Sequence, residues 1–189
     1  AAYHGLYALT GPRRGPGAAC EFLGRDYGLG TPSDALLDEV CDRLIAGEVI
    51  AWFQGGSEFG PRALGHRSLL FDPRRHDASE RLNLKVKGRE AFRPFAPVVM
   101  NEYASDWFDL DPLHPESPFM LRVVPVSPSK RARVPAITHV DGSTRPQTLR
   151  AEQAPSLYRL LACFYEKTGV PMLLNTSLNV MGEPIVETP

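Results

Sequence analysis

Between Glu58 and Ser68 the chain interleaves Gly60 and Gly65 with Arg62 and Arg67. The stretch is too irregular for a helix and too polar for a core strand, so the fold must carry it as a loop. Glycine lets backbone approach a ligand and take positive φ, and each guanidinium offers a planar fork of donors that matches phosphate or carboxylate oxygens. The segment therefore predicts an anion-binding loop. Its Gly60-x4-Gly65 spacing is that of a P-loop, but His66 and Arg67 stand where Lys and Ser/Thr are required and Pro61 lacks an N–H, which excludes a Walker site. The alternative is a glycine-rich turn whose arginines pair with surface carboxylates.

Charge is focused around this loop. From Arg62 to Arg93 there are nine Lys and Arg against four Asp and Glu, or +5, in a chain of net charge -1, which leaves -6 elsewhere. Such a field attracts multiply charged ligands. With 189 residues, 43% of them hydrophobic, the chain can bury one sizeable core. No apolar run reaches the roughly 20 residues of a membrane span, and no secretory signal is visible. Cys20, Cys41 and Cys163 fit neither a disulfide framework nor a zinc motif, so a soluble, cytoplasmic protein is expected.

Residues 1–32 are rich in Gly and Pro and read as a lead segment or a linker from an upstream domain; residues 33–189 form the domain proper. Ser33 predicts the cap of a helix carrying Leu36, Leu37, Val40, Cys41, Leu44 and Ile45 at helical spacing and ending at Gly47. Residues 49–53 predict a strand running into the glycine loop, which puts the anion site at a strand's carboxyl end, where open α/β sheets bind ligands. Asp77 and Glu80 predict a capping box for a basic helix reaching about Val86. Strands are expected at 68–71, 95–100, 119–124, 136–139, 147–149 and 170–175, and helices at 101–107 and 156–167.

Three further constellations carry chemistry. In Lys85, Lys87, Arg89 and Arg93, cations alternating along an extended stretch would point to one side; the alternative is a solvated basic edge. His139 and Asp141 lie in a polar turn that ends at Arg145; as a lone HxD this is weak evidence for a metal, and a nucleotide-binding or a purely structural turn are the other readings. Asn175, Thr176, Ser177 and Asn179 follow an apolar strand and suit sugar, amide or phosphate recognition, or form an unliganded Asx turn.

Taken in order, residues 58–68 (EFGPRALGHRS), 87–97 (KGREAFRPFAP), 138–148 (THVDGSTRPQT) and 175–179 (NTSLN) resemble the C-terminal region of the O-carbamoyltransferases of nodulation and antibiotic tailoring, over about residues 35–189. Leu178 stands where that family more often has Phe. The resemblance implies an α/β fold, a YrdC-like mixed twisted open sheet flanked by helices, preceded in the whole enzyme by a Kae1-like domain that binds the acceptor and a metal. It implies ATP with Mg2+, and carbamoyl phosphate as co-substrate, giving carbamoyl adenylate for transfer to a hydroxyl of a natural product or sugar.

The implied roles follow residue by residue. Arg62, Arg67, Lys85, Lys87, Arg89 and Arg93 would clamp the phosphates, with Lys87 nearest the reacting centre. His139 would carry a proton. Asp141, Arg145 and Thr176 would lie at the nucleotide, and Asn175, Ser177 and Asn179 would bond the carbamoyl amide or the ribose. Neither a protein-bound metal on this part nor a membrane or nucleic-acid partner is expected. The rival function is a nucleotide- or RNA-binding YrdC-like module without activity of its own, and a third reading makes the basic edge a dock for the upstream domain.

Overall fold

The structure, a computed structural model, describes residues 31–187 together with the backbone of residues 20–22 and 25–27. Most of the expected lead segment lies outside the described residues; within it β1 (Cys20–Phe22) and β2 (Arg25–Tyr27) pair antiparallel. Helix α1 (Asp34–Ile45) starts as its sequence predicts, because the Ser33 hydroxyl accepts the Leu36 N–H at 3.2 Å. Its stripe buries Leu37, Cys41 and Leu44. The other long helix is α3 (Pro155–Thr168), which opens on a proline and ends at the left-handed Gly169. It buries Leu157, Leu160, Leu161 and Phe164 completely, each worth about 1.5–3 kcal/mol of transfer free energy. The two helices pack together, and Lys167 Nζ reaches Asp38 and Asp42 at 2.6 Å each.

Five strands form one open mixed sheet in the order β3 (Ile50–Phe53), β4 (Arg67–Phe71), β9 (Met172–Ser177), β5 (Ala96–Met100), β8 (Gln147–Leu149). Only the β5–β8 pair is parallel. Every residue of β4, β5 and β8 is buried, as expected of strands covered on both faces. The expected α/β class, a mixed open sheet with flanking helices, is the one observed. Among the described residues no helix is long and apolar enough to cross a membrane.

Several local expectations are corrected. Residues 119–123 form no strand: only β6 (Val124–Pro125) pairs, with β7 (Ser143–Thr144), while Met120 takes φ 53° and Leu121 and Val123 are exposed. Residues 136–139 are replaced by a 3-10 turn, Pro135–Ile137, because Pro135 presets a helical φ at its start. The helix expected at 101–107 is split into a 3-10 turn, Asn101–Tyr103, and α2 (Ala104–Trp107).

The capping box at Asp77 and Glu80 does not form. Asp77 is taken by Arg75 at 2.8 Å and Arg81 at 2.7 Å, and Glu80 by Lys85 at 2.7 Å; charge-assisted pairs displace a weaker bond to backbone. The helix itself, Ser79–Lys87, is a π-helix. Its winding overturns the extended reading of the cations, since Lys85 is exposed and Lys87 is 3% exposed.

Candidate active site

The glycine and arginine loop does follow strand β3, and side chains hold it from several sides. Glu58 Oε1 accepts the N–H groups of Leu64 at 2.7 Å and His66 at 2.8 Å. Gln147 Nε2 donates to Leu64 O at 2.9 Å, and Asn175 Nδ2 donates to Ala63 O at 3.1 Å. Gly65, at φ 104°, lies so close to α3 that a Cβ would sit 2.5 Å from Leu157 Cδ2, so only glycine fits. Burial pushes the His66 imidazole below its ordinary pKa, with Glu58 opposing.

The two arginines of the loop divide their labour. Arg67 is fully buried and stacks on Phe53 at 3.5 Å. Its guanidinium donates to the carbonyls of Gln54, Gly55, His66 and Glu187 at 3.0–3.3 Å. Those bonds set Arg67 to holding the loop instead of reaching a ligand. Arg62 does the opposite: it makes no hydrogen bond or ion pair with the described residues, and its buried Nε has no partner. Arg145 is the same, and its proton affinity is lowered by burial and then by the charge of Arg62.

Two half-buried guanidiniums, near enough for the charge of Arg62 to act on Arg145 and with no carboxylate paired to either, leave positive charge uncompensated. Beside them, Asn175 Oδ1 is buried with no hydrogen-bond partner. Its orientation is fixed because Nδ2 faces the carbonyl of Ala63, which can only accept.

Lys87, Ser177 and Asn179 come together. Lys87 Nζ donates to Ser177 O at 2.5 Å, Ser177 Oγ at 3.1 Å, Asn179 Oδ1 at 3.0 Å and Asn179 O at 3.3 Å. All four acceptors are neutral, and burial, then the nearby Arg89, lowers the Lys87 pKa to about 8. Asn175 and Ser177 are two apart on β9 and share a face, whereas Thr176, paired with Leu69, faces the other way. Lys85 stays outside this group, on the surface with Glu80.

His139 and Asp141 join Arg93 along a cleft of about 620 Å³ walled by Phe92, Phe95 and Val140. The His139 ring meets Phe95 O through Nε2 at 3.1 Å and Ser143 Oγ through Nδ1 at 3.3 Å. Asp141 accepts from the Ser143 hydroxyl at 2.6 Å and N–H at 2.9 Å, which hold its carboxyl below the usual range. Arg93 pairs with Glu90 at 2.8 Å. Phe95 also carries Arg89, whose Cζ lies 5.0 Å from the ring centre. Glu58, Gln147 and Asn83 carry no role in the motifs; their bonds to loop backbone single them out.

Comparison with known proteins agrees with the resemblance. A family model described as carbamoyltransferase C-terminus matches residues 41–189. The chain is 47% identical to nodulation protein NolNO of Sinorhizobium fredii, over 82% of this chain and 23% of that protein. It is 45% identical to 3'-hydroxymethylcephem-O-carbamoyltransferase of Amycolatopsis lactamdurans, over 79% of this chain and 28% of that protein. It thus spans about a quarter of the length of these relatives. Among solved structures, full-length HypF in a phosphate- and nucleotide-bound form is similar in fold, with a TM-score of 0.53 and 18% identity, over 84% of this chain and 19% of that one.

Proposed function

This chain belongs to the carbamoyltransferase C-terminus family, and on that premise we propose that it binds carbamoyl phosphate and ATP and forms carbamoyl adenylate for an ATP-dependent O-carbamoyl transfer. The observation that carries this reading is the pair Arg62 and Arg145, two half-buried guanidiniums with no anion among the described residues. Carbamoyl phosphate and ATP together bring about six negative charges, and phosphoryl chemistry is mostly positioning and electrostatic stabilisation.

In this reading water hydrolyses carbamoyl phosphate to carbamate and inorganic phosphate, a carbamate oxygen attacks the α-phosphorus of ATP, and pyrophosphate leaves. An acceptor hydroxyl then attacks the carbamoyl carbon and releases AMP. Arg62 and Arg145 hold phosphate oxygens, and Lys87, set by Ser177 and Asn179, neutralises charge at the reacting phosphorus. Asn175 Oδ1 offers an acceptor to the carbamoyl N–H, and the His139, Asp141 and Arg93 cleft receives the nucleotide. Among the described residues no three His, Cys, Asp or Glu gather to hold a metal; magnesium would come on the nucleotide's own phosphates, which need few protein ligands. The acceptor belongs to the upstream, Kae1-like part, in keeping with a match that covers only 23% and 28% of those relatives.

The test is pyrophosphate release from Mg-ATP by the 189-residue chain, with and without carbamoyl phosphate. Release that depends on carbamoyl phosphate and is lost in Arg62→Ala and Arg145→Ala is expected. Binding of RNA with a steep salt dependence, and no release, would favour the rival module.

A further inference from the structure

Asn83 lies in the middle of the π-helix Ser79–Lys87, which leads into the loop that carries Arg89, and it is fully buried. Its backbone carbonyl accepts the N–H of Gly88, which takes the left-handed conformation at φ 61°, and that of Arg89 at 2.9 Å. Its side chain has two more tasks. Nδ2 donates to Ala91 O at 3.2 Å and to Arg93 O at 3.0 Å, and Oδ1 accepts Arg89 Nε at 2.6 Å.

The assignment of the amide is unambiguous, because carbonyls only accept and a guanidinium only donates. One buried side chain therefore ties residues 88–93 into a fixed turn and grips Arg89 by its inner nitrogen. With Nε held by Asn83 and the plane lying over Phe95, the orientation of the guanidinium is set at two points. Its two terminal nitrogens make no hydrogen bond or ion pair with the described residues, and the head is half-buried beside Lys87. The Arg89 proton affinity is lowered by burial and then by Arg93.

We propose that Asn83 is a positioning residue that aims the outer edge of Arg89 at a phosphate of the ligand, so that this amide, invisible in the motifs, sets phosphate affinity. The inference rests on the anion-binding reading of the site. A planar fork delivers two parallel bonds only when its plane is fixed beforehand, which is what a neutral acceptor on Nε provides; a carboxylate there would fix the plane and cancel the charge. Asn at this position orients the cation and leaves it cationic.

The experiment is a double-mutant cycle read by calorimetric binding of inorganic pyrophosphate to the 189-residue chain. Arg89→Ala is expected to weaken binding about ten- to hundredfold, and Asn83→Ala at least about fivefold. Asn83→Ala on top of Arg89→Ala should add nothing. Millimolar guanidinium ion should restore part of the affinity of Arg89→Ala while Asn83 is present, and none in the double variant, an effect that a merely structural amide would not produce.

Asn83→Ser, whose hydroxyl is small and still able to donate to a carbonyl, serves for the case in which the alanine variant does not fold. It should weaken binding in the parent and leave Arg89→Ala unchanged. Undiminished affinity in the folded Asn83 variants, or full additivity with Arg89→Ala, would overturn the role of Asn83 and leave the proposed function standing. A parent chain that binds no pyrophosphate would overturn both.

Discussion

Replacing Lys87 by methionine tests the electrostatics of the site without any ligand. The Nζ of Lys87 is buried among neutral oxygens, and its pKa is lowered from 10.5 to about 8 by burial and by Arg89. A lysine whose folded pKa is depressed destabilises the fold wherever both states are charged, and the penalty is relieved as pH rises from the folded to the unfolded pKa, because only the unfolded chain then holds the proton. At about 1.4 kcal/mol per pKa unit, the whole interval is worth about 3 kcal/mol, and the part between pH 7 and 9.5 about 2 kcal/mol.

Urea denaturation, followed through the buried Trp52 and Trp107, should therefore show the stability of the parent rising relative to Lys87→Met by about 2 kcal/mol over that range. Taking the difference removes Cys41 and Tyr158, whose pKa values are raised to about 12 and which titrate in both proteins. A difference that stays flat would refute the reasoning, since the four acceptors would then compensate fully for burial. The same titration predicts that pyrophosphate affinity of the parent falls as pH rises through about 8, when the ammonium is lost.

Two further outcomes are expected. Gly65→Ala, with φ 104° and a Cβ 2.5 Å from Leu157 Cδ2, should lose about 3 kcal/mol in urea; a loss below about 1 kcal/mol would mean that the loop and α3 yield easily. Arg75, then Arg81, hold the Asp77 carboxyl well below the usual range, so its stabilisation is present above the unfolded carboxylate pKa and lost as pH falls through the folded one. Asp77→Asn should accordingly cost about 1 kcal/mol at pH 7, and its deficit relative to the parent should vanish in acid; a deficit independent of pH would sink the ion-pair account.

Elements built from local signals were legible. Ser33 and the apolar spacing after it fixed α1, and Gly169 marked the end of α3. Elements decided by distant partners were not. Residues 119–123 are apolar enough for a strand, yet no neighbour pairs with them, whereas the short β7 is a strand only because Val124 lies opposite Thr144. Lys85 and Lys87 look alike in sequence, and the winding of a π-helix sends one to solvent and the other inward.

In the site, the residue types and the loop were legible, and Lys87, Ser177 and Asn179 do meet. The division between Arg62 and Arg67 was hidden: Arg67 is occupied by carbonyls that include Glu187, 120 residues away, and nothing in a local window reports that. Gln147 was missed for the same reason, as it bonds Leu64 O across 83 positions, and Glu58 and Asn83 were missed because each bonds the inside of a loop whose path no motif reports.

The strand order has a bearing on how the molecule comes to exist. The central strand β9 is the last in sequence, and it separates β3–β4 from β5–β8, with Ser68 facing Ser177 across 109 positions. Without residues 172–177 the two strand pairs have no strand between them, and the β9-facing edges of β4 and β5 would be left open to pairing with other chains. Closure is thus a late, long-range event of the slow kind. Asn175 and Ser177 ride on that same strand, so the sheet and the candidate site are completed in a single step, and an unfinished chain has neither.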